Sequence, residues 1–415
     1  MSLAITAIMI TLLSNDATNA NEAVASGKEL EGLAGYRSAD AAARSVPVMT
    51  PRLPSAEQLL PYLRRIDASR IYTNFGPLVL ELESRLCELL ELPQKGLVTA
   101  SSGTAGLVGA ILASTGRATA PRPLALMPGY TFVATAVAAE ECGFRPYLCD
   151  IDLNTWMLDP AQLLTHPALD QVGVVIPVAP YGVAVPQAPW LDFQERTGIP
   201  VVIDGAASFE AVCADTRRFL GDVPVVMSFH ATKSFATGEG GAVICTDVDL
   251  IGRTARALNF GFQSSRECRS ASINGKLSEY HAAIGLAELD GWHSKRQAFA
   301  AVAANYRQAF EIAGLDGRLL SSPDICSSYA LFCCSHPEQA ERVKLSLRSE
   351  GIEFRLWYGN GLHRHAHFAG SARGRLAVTD HLAHCVIGLP MALDLTFDVI
   401  NRIAVTVLEG TSLAP

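Results

Sequence analysis

The chain has 415 residues with a formal charge of −8 from 33 Lys plus Arg against 41 Asp plus Glu. Half of it is apolar (49%) and only 18% is charged, which excludes intrinsic disorder, and 33 Gly among 415 residues exclude a collagen-like repeat. Net acidity argues against a general nucleic-acid or anionic-membrane binder, yet leaves small phosphorylated ligands open, since backbone N–H groups can hold a phosphate locally.

At roughly 100–200 residues per domain, two or three domains are expected. Residues 1–50 read as a poorly ordered N-terminal extension. Its run Leu3–Leu13 is apolar or small but too short to span a membrane, and no Lys or Arg precedes it as a secretory leader requires. From Pro77 to Leu92, leucines 78, 82, 86, 89 and 90 make one helical stripe, and Pro77 suits a first helical turn. Short apolar runs follow at 97–99, 123–127, 145–150, 172–177, 200–204, 223–229 and 242–246, separated by helix-like segments. Their continuous rather than alternating apolarity indicates strands buried on both faces, hence a mostly parallel seven-stranded α/β sheet. A large domain over 51–290 and a smaller α+β domain over 291–415 are expected, the latter with helices over 292–313 and 338–350 and a His/Arg/Gly-rich loop over 359–375.

Ten cysteines lie scattered without a C-x-x-C pair and read as buried thiols in a reducing compartment, so the cytoplasm is the expected location. The alternating His363, His365 and His367 lack a companion carboxylate or cysteine at a metal-site spacing, so no metal is expected.

Three segments at strand ends carry chemistry. Ser101-Ser102-Gly103-Thr104-Ala105-Gly106 joins a short strand to a small-residue helix, where free N–H groups can take a phosphate or Ser102 can simply cap the helix. Asp204 ends a buried strand, where a carboxylate either caps a turn or faces a cationic heterocycle or metal. Lys233, one of only six lysines against 27 arginines, lies between an apolar strand and the turn Thr237-Gly238-Glu239-Gly240-Gly241. A lysine there is either a snorkelling structural residue or a Schiff-base nucleophile. A phosphate cradle, a buried carboxylate and a buried amine in this order match what pyridoxal phosphate needs.

At these residues the chain, from about 51 to 410, resembles the DegT/StrS family of pyridoxal-phosphate-dependent sugar aminotransferases, which have the aspartate-aminotransferase (type I) fold. The resemblance runs through Asn74-Phe75-Gly76-Pro77, Ser102-Gly103-Thr104-Ala105, Tyr130-Thr131-Phe132-Val133-Ala134-Thr135, Asp150-Ile151-Asp152 and Asp204. It continues in Ser228-Phe229-His230-Ala231-Thr232-Lys233, Gly238-Glu239-Gly240-Gly241, Asn274-Gly275-Lys276-Leu277-Ser278-Glu279 and Leu389-Pro390. It implies that Lys233 binds the cofactor aldehyde, Asp204 pairs with the ring nitrogen and Phe132 stacks on the ring. Ser102, Gly103, Thr104 and Ser228 hold the phosphate. Asn274 and Lys276 reach the cofactor of a neighbouring subunit, so a homodimer with shared sites is implied. Tyr358, His363 and Arg364 are candidate contacts to the substrate. Where many members carry Gln or His three residues after the aspartate, this chain has Ala207, and no side chain is assigned to that contact. The implied reaction moves an amino group from L-glutamate to a keto group of a nucleotide-linked, dTDP-type deoxysugar. Alternatives are a non-nucleotide ketone such as a keto-inositol, or a catalytically inactive regulatory or binding protein on the same scaffold.

Overall fold

The computed structural model describes residues 45–320 and 328–412. Helices α1 (Ala56–Ser69) and α2 (Pro77–Leu89) lead into strand β1 (Leu97–Ala100) and helix α3 (Gly103–Thr115). Next come β2 (Leu124–Pro128), α4 (Val133–Glu141), β3 (Arg145–Cys149), β4 (Val172–Val175), α5 (Ala188–Thr197) and β5 (Ile203–Asp204). After β6 (Val225–Ser228), β7 (Gly241–Ile244) and α6 (Val248–Ala257), the long α7 (Glu279–Ile312) crosses to β8 (Leu319–Leu320) and β9 (Ala330–Cys333). The chain ends in α8 (Pro337–Ser349), β10 (Ala372–Arg373), α9 (Ala377–Cys385), β11 (Val386–Leu389) and α10 (Phe397–Ser412), with shorter helical turns left unnumbered.

The strands order as β10-β3-β2-β4 and β5-β6-β7-β1, and parallel bridges Val175–Val201 and Val178–Asp204 join β4 to β5 in one sheet. Among the described strands of this sheet, only β7 runs against its neighbours. The seven-stranded, mostly parallel sheet expected from the apolar runs is therefore present, with β10 added as a two-residue edge. Alternate residues of each strand enter two different cores. Val98, Met127, Val202 and Val226 pack on the α3, α4 and α6 side, while Leu97, Leu126, Ile203 and Met227 pack on the side of α2, α5 and α7. Burial on both faces explains why these runs show no polar alternation.

A second, three-stranded sheet, β11-β9-β8, is antiparallel and shares a core with α8, α10 and the distal part of α7. Two expected boundaries meet continuous structure here. The boundary expected at 290–291 falls inside α7, a continuous 34-residue helix about 50 Å long that links the two sheets. Its first half carries Ala282, Ala283, Gly285 and Ala287, small residues that let α2 approach; a Cβ on Gly285 would stand 2.7 Å from a Leu82 methyl. Such a face has no bulky stripe to announce a helix.

The second is the end of the extension expected over 1–50, whose residues 1–44 lie outside the described residues. From Val46 the chain docks onto the second sheet: Val46 N–H donates to the Gly351 carbonyl and its carbonyl accepts from Glu353 N–H, both at 2.9 Å. Val46 and Val48 are buried at 6% and 4% exposure, and Val48 carbonyl accepts from Met391 N–H at 3.0 Å.

One buried carboxylate ties together two motifs that are about 200 residues apart. Glu279, fully buried at the start of α7, accepts from the N–H groups of Leu78 (2.8 Å) and Val79 (2.9 Å). It thus caps the N-terminus of α2, whose own N-cap Gly76 has no side chain to offer. Gly76 is required, since a Cβ there would stand 2.6 Å from the Glu279 carboxyl carbon.

Candidate active site

The C-terminal ends of β1, β2, β4, β5 and β6 converge on one edge of the sheet, the place where open α/β sheets bind ligands. Asp204 is the last residue of β5 and is held from both sides. Its N–H donates to the Pro177 carbonyl and its carbonyl accepts from Ala179 N–H, both at 2.9 Å, and Asp204 is in register with Val226 of β6. Its carboxylate, 5% exposed, accepts from the Thr135 hydroxyl (Oδ2, 2.7 Å) and from Ala206 N–H (Oδ1, 3.2 Å). Burial pushes the acid above its ordinary range, while the Thr135 hydroxyl, the Ala206 N–H and the Lys233 charge pull it back. Thr135 lies one turn along from Thr131, and their hydroxyls are 3.0 Å apart. This threonine relay was not assigned from sequence; its signal is the i, i+4 spacing of two hydroxyls just after a strand.

Lys233 sits in a loop closed by main-chain bonds. Ala231 N–H donates to Gly238 carbonyl and Lys233 N–H to His230 carbonyl, each at 2.8 Å. Gly238 has φ +86°, a conformation that residues with a Cβ rarely adopt. The Lys233 ammonium donates to the Tyr329 hydroxyl at 2.8 Å. Beneath this loop Glu288 accepts from Ala236 N–H at 3.3 Å and pairs with Lys295. Beside Lys233 a shallow cleft is lined by Arg52, Thr232, Lys295, Phe299, Ser328 and Leu393, among others.

The β1–α3 turn makes a cradle. Ser102 caps α3 by accepting from Ala105 N–H at 3.0 Å, which leaves the first-turn N–H groups of Gly103 and Thr104 facing outward. Ser228 closes the other side: a Cβ on Gly103 would stand 2.9 Å from Ser228 Cβ. Phe132, 57% exposed, is the N-cap residue of α4 at the same sheet edge. A half-open aromatic, an outward-facing helix N-terminus, a buried carboxylate and a lysine amine fit a phosphorylated, aldehyde-bearing cationic ring.

The remaining sequence candidates lie in different surroundings. Lys276 donates to Asn274 Oδ1 at 2.6 Å and lies 4.4 Å from the Phe260 ring centre, while Gly275 carbonyl accepts from Ser101 N–H at 2.7 Å. The segment thus braces the cradle's turn from behind in its own chain. Burial pushes the Lys276 ammonium below its usual range. Tyr358 stacks on Tyr181 (4.3 Å, 18°) and meets Tyr130 edge-on at 5.1 Å. His363 is 8% exposed and bonds Asp380 at 2.8 Å through Nε2; Arg364 reaches the same carboxylate at 3.3 Å. His367 bonds Glu140 instead, so the histidines of this loop serve separate carboxylates. Sequence reasoning missed Tyr181 and Tyr329. Tyr181 has φ +50° before Gly182 at φ +95°, and a Pro-Tyr-Gly turn after a strand is the signal that would have found it.

Glu210, one short turn beyond Asp204, is 1% exposed. Burial pushes it up to about 7 from 4.5, opposed by Ser234 and by the charges of Arg296 and Lys295. The folded state therefore favours the protonated acid, and this stabilisation is complete below pH 4.5 and lost as pH rises through about 7. Glu210→Gln, which has nothing to ionise there, is expected to match the wild type at pH 4. Above pH 8 it should exceed it by about 3 kcal/mol, read as a gap of several degrees between melting curves. Parallel melting curves from pH 4 to 9 would refute this.

Comparison with known proteins gives the same answer as the geometry. Residues 55–408 match the DegT/DnrJ/EryC1/StrS aminotransferase family. Protein Rv3402c of Mycobacterium tuberculosis is 34% identical over 374 residues, 88% of this chain and 90% of its own. The dTDP-4-amino-4,6-dideoxy-D-glucose transaminase of Shigella dysenteriae is 32% identical over 245 residues, covering 59% of this chain and 64% of its own. The crystal structure of DesI in the presence of its TDP-sugar product superposes with a TM-score of 0.77 at 28% identity, covering 89% of this chain and 94% of that one. The chain belongs to the DegT/DnrJ/EryC1/StrS family and is an aminotransferase of the type I fold.

Proposed function

We propose that this protein uses pyridoxal phosphate to move the amino group of L-glutamate to a keto group of a nucleotide-linked deoxysugar, of the dTDP type, in the cytoplasm. The observation that carries the proposal is the convergence of Lys233, Asp204 and the Gly103–Ser228 cradle at one sheet edge. Relatives named for dTDP-sugar transamination support the acceptor class. The nine described cysteines are all free, which supports a reducing compartment, and among the described residues no helix is long and apolar enough to cross a membrane.

When bound, pyridoxal phosphate supplies a carbonyl that carries the amino group and a cationic ring that draws electrons from the α-carbon. Gly103, Thr104, Ser102 and Ser228 would hold the phosphate, and Phe132 would cover the ring. Asp204, fixed by Thr135 and Ala206, would keep the proton on the ring nitrogen; the ring's charge offsets the cost of burying the carboxylate. Lys233 would act as general base and then general acid, taking the proton from the α-carbon of the substrate and delivering it two atoms along, to the carbon that bore the aldehyde oxygen. Arg52 on the cleft wall, whose guanidinium also pairs with Asp394 at 3.6 Å, would give the donor a counter-charge for its carboxylate. In the homodimer we propose, Asn274 and Lys276 complete the partner's phosphate site. The exposed Tyr72–Tyr280 stack (6.2 Å) and the 43% exposed Phe260 are apolar surface suited to such an interface.

The test is a visible spectrum of the purified protein with pyridoxal phosphate, before and after L-glutamate, followed by borohydride reduction and peptide mapping. A band that glutamate bleaches with release of 2-oxoglutarate, and a label on Lys233, are expected. Recovery of the band on adding dTDP-keto-sugars, but not on adding keto-inositols, would establish the acceptor. A band that no amino acid bleaches would overturn the enzyme reading in favour of a binding protein on this scaffold.

A further inference from the structure

The Lys233 amine has a partner that comes from the other side of the molecule. Tyr329 immediately precedes β9 of the second sheet, whereas Lys233 belongs to the loop after β6 of the first. The Lys233 ammonium donates to the Tyr329 hydroxyl at 2.8 Å and lies 5.4 Å from the centre of the same ring. The tyrosine ring is itself held in place: Trp357 meets it edge-on at 5.2 Å and 89°, and Tyr181 at 5.8 Å and 68°. Trp357 can lie there because Gly388 of β11 has no side chain; a Cβ at that position would run into the indole. An aromatic frame built from both sheets therefore presents one hydroxyl to one amine.

We propose that Tyr329 is a positioning residue, which holds and aims the Lys233 amine whenever that amine is released to handle the substrate's α-proton. A lysine amine on a four-carbon stem has many rotamers, and a proton transfer needs its lone pair within about 3 Å of the reacting carbon's hydrogen and aligned with it. The hydroxyl accepts an N–H of Lys233, which confines the nitrogen to a small region and turns its lone pair away from the tyrosine, toward the sheet edge where Asp204 lies. The bond also spans the two sheets, so the amine is aimed only when both are in their observed relation. This inference rests on Lys233 having the role proposed above.

The test compares wild type, Tyr329→Phe and Tyr329→Ala. Phenylalanine keeps the ring and its packing and removes only the hydroxyl, so its melting temperature is expected to stay within a degree or two of wild type. Two readouts follow. In protein freed of cofactor, Lys233 acetylation by a small anhydride, followed by peptide mass spectrometry, should be severalfold faster in Tyr329→Phe, because the amine loses its partner. In the glutamate half-reaction with cofactor, the rate constant should fall roughly 10- to 100-fold, the worth of one hydrogen bond to a charged group, with half-saturation by glutamate within threefold of wild type. Tyr329→Ala should fall at least as far in rate and also melt lower. Equal acetylation and equal rate constants in wild type and Tyr329→Phe would overturn the proposal while leaving the aminotransferase reading intact. Wild-type protein that reacts with no amino acid would overturn that reading and the positioning role of Tyr329 together.

Discussion

Lys233→Ala is expected to lower the rate of the glutamate half-reaction by more than about 10³-fold, since it removes both the attachment point and the acid–base group. The fold should survive the change. The loop around Lys233 is closed by main-chain bonds, Ala231 to Gly238, Lys233 to His230 and Phe229 to Gly240, none of which needs the side chain. The side chain contributes one part-buried bond to Tyr329, so stability should shift by only about 1–2 kcal/mol. Single-turnover absorbance with excess glutamate reads the rate, and circular dichroism confirms the fold. Partial recovery on adding a small primary amine is expected, because the vacated volume can hold a replacement base. A variant that retains a tenth of the wild-type rate would remove Lys233 from the mechanism.

Asp204→Asn should slow the same half-reaction by about 10²–10³-fold, the scale on which a single preorganised electrostatic contact to a reacting group is worth its charge. The substitution conserves shape. The amide oxygen can still accept from Thr135, and the position is fixed by the main-chain bonds to Pro177 and Ala179. What is lost is the negative charge. Because burial already pushes this acid above its usual range, removing the charge takes a penalty out of the folded state, and the melting temperature should hold or rise. A fall in rate together with an unchanged or higher melting temperature separates an electrostatic role from a structural one. Equal rates for the two proteins would show that the carboxylate only ends its strand.

Much of this was legible in the sequence because the physics was local. Short continuous apolar runs that alternate with helix-like segments read as strands buried on both faces, and a carboxylate, a lysine and a glycine turn at their ends stand out against them. The contacts that complete the site were illegible for the opposite reason. Tyr329 meets Lys233 across 96 positions, and Thr135 reaches Asp204 across 69, distances over which a single sequence carries no periodic signal. The alternating histidines attract attention as a pattern, yet His363 and His367 point to different carboxylates, because a chain of short 3-10 turns rotates successive side chains apart. Glu279 was visible within a motif, but its role as another helix's cap depends on α7 beginning at the foot of α2.

The docking of Val46 and Val48 also bears on handling of the protein. A cut at residue 51, which composition alone would invite, removes two buried valines worth roughly 1.5–3 kcal/mol each and strips the pairing from Gly351, Glu353 and Met391. That leaves a bare backbone edge beside an apolar groove, the combination through which soluble chains adhere to copies of themselves. The first few residues before Thr50 thus act as the hem of the second sheet, and a shortened form that keeps Ser45 onward would stay dispersed where one beginning at Pro51 would clump.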